Sequence, residues 1–170
     1  DRLLSRGLGD VYKRQVLSDR GLNIQSLNIA DLGVIPENTS LVVVAAPALP
    51  YLPQEVAALN GYLESGGNLL WLFEPNDAEQ LPSLANALSI EKIPGTIVDP
   101  ISLARGVDNP AMLVNTRYGE HATVAQFDLT TLFIYCAGVV AKPTSKWSSS
   151  PLIRSSDKAW SETRALEGTA

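Results

Sequence analysis

One succession constrains this chain more than any other: Leu41–Ala46 (LVVVAA), then a stretch with helical spacing, then Gly66-Gly67, then Asn68–Phe73 (NLLWLF). The first run is continuous and rich in β-branched valine, the pattern of a strand buried on both faces. It stops at Pro47, and the proline-rich turn to Pro53 takes the chain out of the sheet. Pro53 suits a first helical turn, where its missing N–H costs nothing. Val56, Leu59 and Leu63 follow at i, i+3 and i+7, with Ala57 and Tyr62 widening the apolar face. Gly66-Gly67 supplies a left-handed C-terminal cap, and the second apolar run reads as another buried strand. Strand, helix and strand in this order predict a βαβ unit with a right-handed crossover.

The flanking elements are shorter. Gly21–Ile29 alternates Leu22 and Ile24, then Leu27 and Ile29, and suggests a half-buried strand. Ile35-Pro36-Glu37-Asn38 is a turn. Ala78–Leu88 predicts a helix in which Pro82 fits only the first turn. Thr96–Val98 and Met112–Asn115 are short strand candidates, and Leu132–Val140 is a longer one. The expected fold class is α/β: a Rossmann/flavodoxin-like open, mostly parallel sheet flanked by helices and fragmentary at both ends. The expected division is an α/β domain over residues 16–141 and a polar, truncated C-terminal segment over 142–170.

Residues 5–15 (SRGLGDVYKRQ) resemble a translated sequencing adapter, so residues 1–15 are set aside as non-native. The competing reading is a native amphipathic segment with Leu8, Val11 and Tyr12 at helical spacing. Without those fifteen residues the chain keeps 9 basic and 16 acidic side chains, a net charge of −7 against −5 for the whole. Phosphate neutralisation needs clustered Lys and Arg. No such cluster occurs after residue 15, which argues against a nucleic-acid partner. A single cysteine, Cys136, excludes an intrachain disulfide and a cysteine-based zinc site. Its run, Thr131–Ala141, is too short to span a bilayer, which takes about 20 apolar residues.

In open parallel sheets, ligands bind at the carboxyl ends of the strands. Pro47, Glu74, Asp77 and Asp99 fall there in this reading, and the three acids are candidates to meet a cation or polar ligand. The favoured alternative is that they are turn-forming acids satisfied locally, since Asp-Pro and Glu-Pro-Asn are common in turns. The Pro47–Pro53 turn has no glycine to let backbone N–H groups cradle a phosphate. His121 is the only histidine, so multi-histidine metal sites are excluded. With Thr123 it suits a turn or a short helix cap. Cys136 lies in an apolar run that disfavours a thiolate. No G-x-S-x-G elbow occurs. The residues thus supply no catalytic set and imply no cofactor. Trp147 and Trp160 flank a serine-rich segment with Arg154 and Lys158, and either mark a partner surface or pack back on the domain.

Several phrases, in order, resemble the auxiliary component of ABC-type transport systems related to the gliding-motility protein GldG. They are Ile35-Pro36 before Leu41–Pro47, Glu55 through Leu63-Glu64-Ser65-Gly66-Gly67-Asn68-Leu69-Leu70, and Glu74-Pro75. Val98-Asp99-Pro100, Tyr118 with His121-Ala122-Thr123-Val124, and Pro151–Ser156 with Trp160-Ser161-Glu162-Thr163 continue the series. Ala122 departs from the proline usual in that family. The resemblance implies a non-enzymatic extracytoplasmic domain beside an ABC permease and ATPase. It also implies anchoring by membrane helices elsewhere in a longer protein, and offers no catalytic residues to carry over. A truncated amidotransferase-like or hydrolase-like enzyme and a soluble small-molecule-binding domain are the alternatives.

Overall fold

A computed structural model describes residues 15–45, 50–75, 81–142, 144, 146–164 and 166. Two compact units divide the chain. The first takes in residues 1–73 and 77–84, and the second 74–76 and 85–170. The adapter-like residues lie outside the described part except for residue 15, as do Ala46–Leu49 and Asn76–Gln80.

In the first unit, helical residues 15–19 (α1) and the short helix α2 (Ile29–Leu32) precede β1 (Val42–Ala45). Then come α3 (Pro53–Glu64) and β2 (Leu69–Leu72). β1 and β2 pair in parallel, Val42 opposite Leu69 and Ala45 opposite Leu72, as the central βαβ pattern requires. α3 begins with Pro53 in its first turn. The buried Glu55 carboxylate accepts the Leu52 N–H at 2.7 Å, satisfying a donor the helix leaves orphaned. The helix ends as a Schellman motif: Gly66 has φ +91°, its N–H reaches Leu63 O, and Gly67 N–H reaches Tyr62 O. Val42, Val44, Leu59, Leu81 and Leu84 are buried, and Leu59 is 0% exposed.

Two-sided burial of the strands does not occur. Val42 and Val44 are buried while Leu41, Val43, Leu70 and Leu72 stand exposed. The two apolar runs therefore cover one face only. Residues 22–28 form no strand, and Ile29, expected to end one, opens α2 instead.

The second unit overturns the expectation of an open, mostly parallel sheet. α4 (Pro82–Leu88) begins in the first unit and leads into β3 (Ile90–Ile93), β4 (Thr96–Val98), α5 (Ile101–Ala104), β5 (Met112–Asn115), β6 (Thr131–Ile134), β7 (Gly138–Ala141) and β8 (Trp160–Glu162). They form three antiparallel two-stranded ladders, β3–β7, β4–β8 and β5–β6. Among the described residues β1–β2 is the only parallel pair. The physical reason is in the connections. A parallel pair needs a crossover of a dozen or more residues, usually helical. The connections over residues 99–111 and 116–130 are long enough, but the first holds only the four-residue α5 and the second only turns and extended chain, so neither has the helix that usually makes such a crossover. The predicted strand Leu132–Val140 is broken by Tyr135, at φ +50°. That left-handed bend ends β6 and frees β7 to pair with β3. Ile97, Val98, Ala111 and the polar Asp99, Ser102 and Asn115 are buried in this unit.

Candidate functional site

In the first unit, the loop over residues 33–40 and the outer side of α3 frame an open groove of about 940 Å³. Its helical wall is made of Ala57, Ala58 and Gly61, small residues that leave the space unfilled. Tyr62 closes one end: its hydroxyl donates to Thr39 C=O (3.1 Å) and accepts the Asn68 N–H (3.2 Å). The Asn68 side chain donates to Ser40 C=O at 3.0 Å. Among the described lining residues Glu37 alone carries a charge. Shape and backbone hydrogen bonds are what this groove offers, with no paired acid and base.

The second unit carries its chemistry on a tied-down C-terminal segment. Asp99, which follows β4, is only 6% exposed. Its Oδ1 accepts Ile101 N–H (3.0 Å) and Ser156 Oγ–H (2.7 Å), and Oδ2 accepts Ser156 N–H (3.0 Å). Burial pushes the carboxyl's pKa up. The hydrogen bonds from Ser156 and Ile101, with the Arg105 charge, outweigh it and hold the pKa below the ordinary value. The segment is fastened twice more. Gly119 N–H donates to Leu152 C=O at 2.9 Å, and β8 pairs with β4. Pro151 O lies where a side chain on Gly119 would start, so only glycine fits there.

The sequence-named candidates fall in different places. Pro47 and Asp77 lie outside the described residues. Glu74 is exposed, and its C=O with that of Pro75 receives the Lys92 ammonium at 3.5 and 3.3 Å. Asp99 is committed to Ile101 and Ser156, so its carboxylate works as a local tie. Trp147 is 40% exposed and Trp160 49%. The Trp160 indole N–H points to Glu162 at 3.5 Å, and Trp147 N–H donates to Thr144 Oγ1 at 3.1 Å. Among the described residues no three His, Cys, Asp or Glu side chains gather in a way that could hold a metal ion. His121 Nδ1 meets Thr123 Oγ1 (2.9 Å) and N–H (3.3 Å) at the head of a turn. Burial pushes the Cys136 thiol's pKa up. Ser156, the partner of Asp99, carried no signal in the sequence beyond its place in the quoted phrases.

Those phrases have a counterpart across the chain. The family described as "ABC-type uncharacterized transport system", the ABC transporter auxiliary family, matches residues 12–167. The chain belongs to that family. Membership in the ABC transporter auxiliary family makes the chain an accessory of a transport system, associated with transport machinery in a membrane-related setting. Among the described residues no helix is long and apolar enough to cross a membrane. A solved structure named "mmIFT52 N-terminal domain" is similar, with TM-score 0.67 and 16% identity over 94% of this chain and 71% of that one. At that identity the likeness speaks for the fold alone. No curated protein matches the chain.

Proposed function

We propose that this ABC transporter auxiliary chain is a non-enzymatic domain on the extracytoplasmic side of the membrane, within a longer membrane-anchored accessory subunit. It works by contact beside an ABC permease and ATPase. The family match over residues 12–167 carries this reading. The contact surface is the C-terminal segment of the second unit, with Trp147 and Trp160 exposed on it. Asp99 holds that segment in place through Ser156, and Glu74 lies in the same unit.

Placement is tested by a cysteine at the exposed Ser149 of the full-length protein, treated in intact cells with a membrane-impermeant maleimide. Labelling is the expected result. Protection until the cells are opened would put the domain in the cytoplasm and end the extracytoplasmic reading. Contact is tested by photo-crosslinking from Trp147 and Trp160. Capture of the permease supports it, and crosslinking only to unrelated proteins, or to the ATPase on the opposite face of the membrane, rejects it.

The 940 Å³ groove of the first unit favours a second reading, a small-molecule-binding role. Its test is retention of a ligand, read by mass spectrometry of protein purified from its source. A Gly61→Leu variant, which fills the groove, should lose that ligand.

A further inference from the structure

The C-terminal segment differs in charge from the rest of the chain. Lys142, Lys146, Arg154, Lys158 and Arg164 face only Asp157 and Glu162 between residues 142 and 164, a net charge of +3 in a chain of net −5. As sequence these cations are scattered, and no tight cluster registers. The structure sorts them. Lys142 is paired with Glu91 at 2.7 Å and Arg164 with Glu162 at 3.6 Å. Lys146, Arg154 and Lys158 are exposed and have no ion pair among the described residues. Trp147, Leu152 and Ile153, which stand between them in the chain, and Trp160, two residues after Lys158, are exposed apolar side chains.

We infer that this segment docks on an anionic lipid surface. The combination of side chains selects that occupant. Tryptophan is amphipathic and prefers the headgroup level of a bilayer, and Lys and Arg bury their stems while the charge stays among the phosphates. Each basic residue near an anionic leaflet contributes about 1 kcal/mol, or a factor of about 5 in binding. An acidic protein would call on the cations but not on four exposed apolar groups. The segment is also pre-organised. Asp99–Ser156, Gly119–Leu152 and the β4–β8 ladder hold it at three points, so docking orders little chain. The docking rests on the proposed membrane setting for its opportunity, and its chemistry is measurable apart from it.

The test is co-sedimentation of the whole chain with phosphatidylcholine vesicles that contain or lack phosphatidylglycerol. Binding to the anionic vesicles only, released by salt, is expected. In a Trp71→Phe variant, which leaves Trp147 and Trp160 as the emitters, the fluorescence should shift to the blue and be quenched by brominated lipid. Replacing Lys146, Arg154 and Lys158 with Gln should weaken binding by on the order of a hundredfold. Arg20→Glu, in the first unit, should leave it unchanged. Circular dichroism confirms that each variant folds. Equal binding to both vesicle types, no binding, or full binding by the triple variant would overturn the inference. So would binding to polyglutamate but not to vesicles, which would make the partner an acidic protein. None of these results depends on whether crosslinking finds the permease.

Discussion

The Ser156 hydroxyl donates to the Asp99 carboxylate at 2.7 Å, joining residues 57 positions apart in the chain. A second hydrogen bond, from Ser156 N–H, reaches the other carboxylate oxygen at 3.0 Å. Both acceptor atoms belong to a nearly buried group, so the tie should be measurable. Ser156→Ala removes one hydrogen bond to a charged acceptor and should cost about 1.5–3 kcal/mol in urea unfolding. Asp99→Ala should cost more, because the N–H groups of Ile101 and Ser156 then both lose their acceptor. Two variants as stable as the parent chain would show that the carboxylate does not tie the segment down.

The same carboxylate predicts a pH dependence. Its folded pKa is depressed, so the ionised form contributes stability above the ordinary value of about 4, and that contribution is lost as pH falls through the lower folded value. Unfolding free energy should therefore drop between about pH 4 and the acid limit. The drop should be shallower in Asp99→Asn than in the parent chain. Parallel curves would place the acid sensitivity elsewhere.

Gly67 lies directly against the Tyr62 ring. A Cβ added there would overlap ring atoms. Gly67→Ala should therefore destabilise the first unit by about 1–3 kcal/mol, the usual range for overpacking. Combining it with Tyr62→Leu should make the alanine nearly free. Additive costs in that double-mutant cycle would argue that the penalty is backbone strain instead.

One-sided burial of β1 and β2 gives a contrast between two leucines. Leu59→Ala, at a fully buried site on α3, should cost about 2–5 kcal/mol. Leu72→Gln, on the exposed strand face, should lie within about 0.5 kcal/mol of the parent. A large loss for Leu72→Gln in thermal unfolding would mean that another surface covers this face in solution.

Elements written by neighbouring residues were legible. Pro53 opens α3, Gly66 and Gly67 close it, and β4 and β5 begin and end where their sequences indicated. The candidate site was less so. Trp147 and Trp160 were recognisable as residue types, and their exposure required the fold. Asp99 could be read as a ligand or as a turn acid, and only the position of Ser156 decided that it serves as a tie. The apolar runs at Leu41–Ala46 and Asn68–Phe73 misled for a physical reason. Hydrophobicity records what a strand can bury, while the number of covered faces depends on which elements pack against it.

By itself the sequence determined the βαβ core, the acidic charge balance and the ordered phrases that mark the family, because each is carried by local spacing or composition. The tertiary structure alone decided that the later strands pair antiparallel, that Tyr135 splits one expected strand into two, and that a segment 57 residues away locks onto Asp99. Apart from proline, which lacks the N–H, every residue offers the same backbone N–H and C=O groups, so the choice of strand partner leaves no local mark. The choice of partner is made by chain connectivity and by which buried polar groups must be satisfied at once.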